Sequence, residues 1–186
     1  MSCTDVVRGV AVLDGLLYVV CELSSLIHVF DTKKNFTSLD DIRVSDMNDP
    51  NDIAACTTSK LLYVADCSTG KRDSTGCMWK VSPSGKVSQW LLDEGFSPYS
   101  LSVRKGRVLM TPLSDNQLLI FDEKQQLKEK IPLPGRMEPR HAVETGRKTV
   151  VVCHWGRGGE EAGVFQIGEF EVATEWVCSR SGSMRW

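Results

Sequence analysis

The sequence lacks the features that mark membrane-spanning proteins, secreted proteins and general nucleic-acid binders. No run of about 18 apolar residues occurs, so no segment is predicted to span a membrane. Residues 1–5 do not begin a basic segment followed by an apolar stretch, so we expect no secretory signal. The 22 basic and 24 acidic residues give a net charge of −2, which disfavours RNA as a partner. We therefore expect a cytoplasmic protein without membrane contact.

Motifs for catalysis and metal binding are also missing. Only three histidines occur, His28, His141 and His154, and none belongs to a His-Glu-x-x-His zinc motif. No Gly-x-Ser-x-Gly elbow is present to support a serine nucleophile. The glycines of residues 156–159 are not followed by a helical pattern, so they do not form a phosphate-binding loop. We expect no enzymatic activity and no cofactor.

The seven cysteines form no Cys-x-x-Cys pair, which disfavours zinc ribbons and thioredoxin-like chemistry. Several lie among small apolar residues of predicted strands, where a buried thiol behaves as a small hydrophobe. We expect reduced, structural cysteines. Cys67 and Cys77 bracket a loop and could face each other across its base, so a bond between them stays open.

Helical periodicity is nearly absent, and the sequence instead contains a fourfold strand repeat. An apolar word begins at positions 17, 62, 108 and 150, which are 45, 46 and 42 residues apart. A second apolar word follows each time, beginning at positions 27, 78, 118 and 164. A period of roughly 40–50 residues made of strands is typical of propeller blades. The fold class predicted is all-β, a β-propeller of about four four-stranded blades with under about 10% helix.

The repeat divides the chain into one domain, residues 1–186, with blades at about 6–49, 50–96, 97–139 and 140–173 and an irregular tail at 174–186. A blade cannot bury its own faces and needs a neighbour on each side. Seven apolar side chains are therefore predicted to pack between blades: Tyr18, Val29, Phe30, Tyr63, Ile120, Phe121 and Val151.

Two long loops, residues 67–76 and 155–162, are predicted to leave the same face of the propeller. Insertions in repeat proteins tend to collect on the binding face, although tolerated, passive insertions are the alternative. His28 is predicted to be structural, and Asp66 to be a hydrogen-bond acceptor at a strand end. The candidate binding residues lie in these loops or near them: Lys71, Arg72, Arg140, His141, His154, Trp155 and Arg157.

The words Pro50-x-x-Ile53, Leu62-Tyr63-Val64-Ala65-Asp66 and Val29-Phe30-Asp31 resemble the NHL repeat. The second repeat matches best, the first and third match about half of the pattern, and the fourth keeps only its strands. The resemblance covers roughly residues 6–168. NHL propellers usually have six blades, so it implies a partial propeller, a fragment of a longer one; a four-bladed ring is the alternative. Open blade edges would favour self-association.

The resemblance implies a non-enzymatic scaffold that binds a protein partner through the long-loop face. It further implies the recognition part of a tripartite-motif ubiquitin ligase, although no RING, B-box or coiled-coil pattern is present here. The alternative is a calcium-dependent hydrolase, because some lactonase and esterase propellers hold calcium with oxygen ligands at blade entrances. Asn51, Asp52 and Glu138 would be its ligands. The same residue types are also ordinary turn formers.

Overall fold

The computed structural model describes residues 6–67, 76–92, 96–113, 115–133, 137–145, 149–156, 163–168, 172–178 and 184–185. In this part of the chain the only helical segment is a single 3-10 turn, Thr32–Lys34. All other regular structure is antiparallel strand, which confirms the all-β prediction. No helix within the described ranges is long and apolar enough to cross a membrane.

The strands form four sheets, and each sheet is built from strands that follow one another along the chain. The first two sheets, blades 1 and 2, have these bounds: β1 Val7–Leu13, β2 Leu16–Cys21, β3 Leu26–Asp31, β4 Thr37–Ser38, β5 Ile42–Arg43; β6 Pro50–Cys56, β7 Leu61–Asp66, β8 Cys77–Val81, β9 Val87–Leu91. In blade 1, both short strands β4 and β5 pair with β3, so together they serve as its fourth strand.

Blades 3 and 4 repeat the arrangement. Their bounds are β10 Pro98–Arg104, β11 Arg107–Pro112, β12 Gln117–Phe121, β13 Leu127–Pro132; β14 Met137–Glu144, β15 Val150–Gly156, β16 Gly163–Ile167, β17 Val172–Cys178, β18 Met184–Arg185. Residues 174–178, expected in an irregular tail, continue β17, and residues 174–177 pair with β16. The backbone groups of β16 need hydrogen-bond partners, and residues of β17 supply them. Backbone pairing does not require the apolar sequence pattern, which ends before residue 174.

The chain divides into two compact units, Met1–Leu101 and Ser102–Trp186. The core of the first unit lies between blades 1 and 2. The face of blade 1 that packs against blade 2, its following face, carries Ala11, Leu13, Tyr18, Val20, Ile27 and Val29. The face of blade 2 that receives it, its preceding face, carries Ile53, Leu62, Val64, Cys77, Trp79 and Val81. Alternation along each strand puts these residues on one side of its sheet.

The two blades approach most closely at Gly9. A β-carbon there would lie 2.8 Å from the backbone nitrogen of Ile53 and 2.9 Å from the α-carbon of Asp52. Neither neighbour is a flexible side-chain end, so a larger residue at position 9 would push the innermost strands β1 and β6 apart. Glycine at this position therefore permits direct contact between the two backbones.

The core of the second unit joins blades 3 and 4 in the same way. Blade 3 contributes its following face, with the buried residues Leu109, Leu118 and Ile120. Blade 4 contributes its preceding face, with the buried residues Ala142, Val150, Val152 and Ile167. These residues occupy the same strand registers as their counterparts in the first unit. Each unit thus contains one fully formed junction between blades.

Five of the seven side chains predicted to pack between blades are buried: Tyr18, Val29, Tyr63, Ile120 and Phe121. The prediction is wrong for Phe30 and Val151, which are only half-buried. Phe30 lies on the preceding face of blade 1, and Val151 lies on the following face of blade 4. Neither face takes part in the two junctions described above, which explains why Phe30 and Val151 are only half-buried.

Candidate interaction site

The 68–75 loop leaves blade 2 at the end where its first strand begins. The pairing of the strands identifies this end: Asp66, the last residue of β7, lies opposite Pro50, the first residue of β6, and opposite Cys77, the first residue of β8. The residues on either side of the loop, Cys67 and Cys77, are 2% and 4% exposed. The loop therefore starts and finishes in the protein interior.

The carboxylate of Asp66 holds the preceding connection in place. Its Oδ1 accepts a hydrogen bond from the backbone nitrogen of Asp49 at 2.9 Å, and its Oδ2 accepts one from that of Asn48 at 3.0 Å. The indole Nε1 of Trp79 donates a third bond to Oδ2, at 3.0 Å. Asp66 is fully buried, so these three donors are what permit a carboxylate at this position. The predicted role of Asp66 as an acceptor at a strand end is confirmed.

Cys67 fixes the start of the loop to both neighbouring connections. Its backbone nitrogen donates to the carbonyl oxygen of Asp49 at 3.1 Å. Its thiol donates to the carbonyl oxygen of Pro98 at 3.0 Å and accepts from the side-chain amide of Asn51. The hydroxyl of Ser97 donates to the Cys67 carbonyl oxygen at 3.3 Å. The first residue of the loop base is thus bonded on both sides.

Cys67 and Cys77 are free thiols and form no disulfide. Burial raises the pKa of each to about 11, with smaller opposing effects from hydrogen bonds. Thiols with such a pKa stay protonated near neutral pH and are poor nucleophiles. The two cysteines are structural residues of the loop base, in agreement with the prediction for the cysteines in general.

Gly76 closes the loop against the next connection. A β-carbon at this residue would lie 2.5 Å from Cδ of Pro98 and 3.0 Å from the α-carbon of Ser97. Any other residue would therefore displace the 97–98 segment or the loop end itself. Both ends of the loop therefore contact the same connection at residues 97–98: the Cys67 thiol bonds to it, and Gly76 packs against it.

Blade 4 carries its candidate residues at the corresponding end of its own sheet. Glu138 lies opposite Trp155, and Pro139 lies opposite His154. Nη2 of Arg140 forms an ion pair with Oε2 of Glu138 at 3.1 Å, and both side chains are about a quarter exposed. His154 is 5% exposed. The sheet therefore brings Arg140 and His154 to the end from which residues 157–162 depart.

The remaining candidates differ in how far the structure describes them. His141 is exposed and lies opposite Cys153, one step farther along β14 and β15. The backbone of Trp155 belongs to β15. Lys71, Arg72 and Arg157 lie outside the described residues. His28, predicted to be structural, bonds Oδ2 of Asp41 through Nδ1 at 3.1 Å.

Two of the three residues expected to bind calcium, Asp52 and Glu138, use side-chain oxygens in bonds within the protein. Oδ2 of Asp52 accepts from the hydroxyl of Ser100 at 2.7 Å and from the backbone nitrogen of Leu101 at 2.8 Å. The side-chain N–H of Asn51 donates to the Cys67 thiol, and Oε2 of Glu138 pairs with Arg140. Among the described residues no group of three or more His, Cys, Asp or Glu side chains is arranged to hold a metal ion. Asp52 instead attaches blade 2 to the start of β10.

Sequence reasoning identified Asp66 but missed its donors and the role of the Cys67 thiol. A signal for one donor was present, because a buried tryptophan needs an acceptor for its indole N–H. Trp79 lies two residues after Cys77 in an apolar strand, next to the strand that ends at Asp66, a position that is not acidic in the other repeats. The backbone donors of Asn48 and Asp49 left no such signal in the sequence.

No family model matches the sequence, and no curated protein matches it. The fold does match solved structures. Hydrazine synthase from Kuenenia stuttgartiensis aligns with a TM-score of 0.73 at 13% identity, covering 92% of this chain and 49% of that one. A Bacteroides caccae protein of unknown function aligns with a TM-score of 0.63 at 14% identity, covering 91% of this chain and 60% of that one.

The WD40 domain of Neurospora crassa Pan2 aligns with a TM-score of 0.67 at 10% identity, covering 95% of this chain and 51% of that one. This chain thus spans only about half to three fifths of the length of these chains. WD40 domains are β-propellers of four-stranded blades, and the four sheets described above have the same strand order. The chain has a β-propeller fold with four blades.

Proposed function

We propose that this chain is a non-enzymatic interaction scaffold that binds a protein partner through the loops at residues 67–76 and 155–162. The observation that carries the proposal is the anchored loop base of blade 2. Cys67 and Gly76 attach it to the connection at 97–98, and Asp66 fixes the connection before it. Binding residues are often found on loops positioned by a rigid scaffold.

The residue types in the two loops suit a protein partner. Lys71, Arg72 and Asp73 lie in the first, and Arg157, Glu160 and Glu161 lie in the second. Trp155 is the first residue of the second loop, and tryptophan and arginine are enriched at the energetic centres of protein interfaces. Arg140 and His141 would add to the contribution of blade 4. Mixed charges around an aromatic residue favour a protein over RNA, which needs a basic surface.

The finer proposal is that the chain is the substrate-recognition part of an NHL-type ubiquitin ligase. It rests on the resemblance of Pro50-x-x-Ile53 and Leu62–Asp66 to that repeat. The propeller fold supports the general proposal of an interaction scaffold. The NHL resemblance adds the class of partner: a protein that becomes ubiquitinated when a ligase module is joined to this chain.

The test compares two double variants in a quantitative capture experiment with cross-linking. Lys71→Ala/Arg72→Ala and Trp155→Ala/Arg157→Ala should each lower the yield of a captured protein at least about tenfold, with an unchanged melting temperature. Lys33→Ala/Lys34→Ala is the matched control, because this adjacent basic pair lies at the opposite end of blade 1. Equal capture by all three variants would overturn the proposal.

Calcium titration separates the hydrolase alternative from the scaffold. A ligand that binds only the native state raises its stability by mass action. We expect the melting temperature to stay constant as calcium is added, because carboxylate oxygens of Asp52 and Glu138 already have protein partners. A saturable rise would instead favour a calcium-dependent propeller.

A further inference from the structure

The preceding face of blade 1 is an exposed apolar surface. It consists of Val10 and Val12 from β1, Leu17 and Val19 from β2, and His28 and Phe30 from β3. Val10 and Val12 are each 57% exposed, and the other four are half-buried. Charged groups border it: Arg8 pairs with Glu22, and Asp41 bonds Nδ1 of His28. An apolar centre with a charged rim is typical of a protein interface.

Strand register identifies what this face is shaped to receive. Val10 lies opposite Val19, as Ile53 lies opposite Val64 in blade 2. Leu17 lies opposite Phe30, as Leu62 lies opposite Val81. The blade 2 residues of these pairs are at most 3% exposed, because the following face of blade 1 covers them. The matching positions of blade 1 therefore form a seat for the following face of another blade.

Blade 4 presents a following face of that kind. Val143 is 37% exposed, and Val151, Cys153 and Val164 are half-buried. Val143 lies opposite Val151, and Cys153 lies opposite Val164. Val151 and Val164 occupy the positions of Leu109 and Leu118, which blade 3 uses to cover blade 4.

We propose that the following face of blade 4 in one copy of this chain covers the preceding face of blade 1 in a second copy. The contact is head-to-tail and repeats the type of junction that already joins blades 1 and 2, and blades 3 and 4. Because each copy carries one donor face and one acceptor face, two copies can satisfy both pairs if the rotation closes. Together they supply eight blades, within the range of roughly four to eight found in propellers. The faces of the sheets carry the association, whereas their edges were the expectation from sequence.

Sedimentation equilibrium over a roughly hundredfold range of concentration tests the contact. The full chain should rise from its monomer mass of 20.7 kDa towards twice that value. Val10→Lys/Val12→Lys and, separately, Val143→Lys should each raise the dissociation constant at least about tenfold. Val87→Lys is the matched control. Val87 is a valine of β9 in blade 2 that is 38% exposed, and it belongs to neither the blade 1 face nor the blade 4 face of the proposed contact. Circular dichroism checks that each variant keeps its strands.

Mixing the two lysine variants distinguishes head-to-tail from head-to-head association. The Val10→Lys/Val12→Lys chain keeps an intact blade 4 face, and the Val143→Lys chain keeps an intact blade 1 face. Their mixture should regain association that neither variant shows alone. A wild-type chain that stays at its monomer mass overturns the proposal. Association insensitive to both variants, or a mixture without recovery, also overturns it.

Discussion

Blades 1 and 2 have the same strand order and the same register, yet they differ in how completely they are buried. Leu62 and Leu17 occupy matching positions, but Leu62 is fully buried and Leu17 is half-buried. Trp79 of blade 2 is 4% exposed, and its counterpart in blade 1 is His28, whose side chain is 22% exposed. The comparison shows that an apolar pattern specifies a packing face, whereas the neighbouring blade decides whether that face becomes core.

The largest effect is expected at Asp66, where the second blade has a buried carboxylate. Asp66→Ala would leave the indole N–H of Trp79 and two backbone N–H groups without their acceptor. Each buried donor without a partner costs about 1–3 kcal/mol. We expect the free energy of unfolding to fall by about 3–5 kcal/mol, measured by urea denaturation.

Cys21 is the matched control for this variant, because it ends β2 of blade 1 as Asp66 ends β7 of blade 2. Cys21→Ala removes a buried sulfur and should cost only about 1 kcal/mol. A loss at Asp66→Ala no larger than that at Cys21→Ala would show that the Asp66 bonds do not stabilise the junction.

The leucine pair measures the difference between the two blades directly. Leu62→Ala should cost about 3 kcal/mol, since it opens a cavity in the core of the first unit. Leu17→Ala should cost about 1 kcal/mol, because solvent already reaches this side chain. Equal losses at concentrations where the chain is monomeric would mean that the open face of blade 1 is covered after all.

Alkaline pH should destabilise the folded protein through the thiols of Cys67 and Cys77. Their pKa is about 11 in the folded protein, against a usual value of 9.0. As pH rises from 9 to 11 the unfolded chain loses these protons first, so the free energy of unfolding falls in this window. A two-unit difference in pKa at each of the two thiols sets an upper limit of about 5 kcal/mol for this loss.

The Cys67→Ala/Cys77→Ala variant isolates this contribution from tyrosine and lysine titration. Its stability should depend less steeply on pH between 9 and 11 than that of the wild-type chain. Parallel curves would indicate that the thiols of the loop base are open to solvent.

Much of the fold was predictable because its signals are local. Strand words such as Leu62-Tyr63-Val64 and turns such as Asp14-Gly15, with positive φ at both residues, encode hairpins within a few residues. The exposure of Phe30 and Val151 was not predictable, because their strands read like those of buried neighbours. Coverage depends on a second blade, which the local pattern does not encode.

The candidate site was less accessible to sequence reasoning. Pairing in blade 4 could be inferred, and it places Arg140 and His154 near one sheet end. The loop base of blade 2 depends on backbone donors at Asn48 and Asp49 and on the carbonyl oxygen of Pro98. Every residue has such groups, so their use here has no signature in residue type.

The order of strands along the chain also has a consequence during synthesis. Blade 1 pairs only strands within residues 7–43, so it can form as soon as it leaves the ribosome. Its following face, with Tyr18 and Ile27, then stays uncovered until β8 ends at Val81. At roughly 5–20 residues per second, this interval lasts about 2–8 seconds. A nascent chain in that interval exposes the apolar following face of blade 1, and this is when a chaperone would have most to bind.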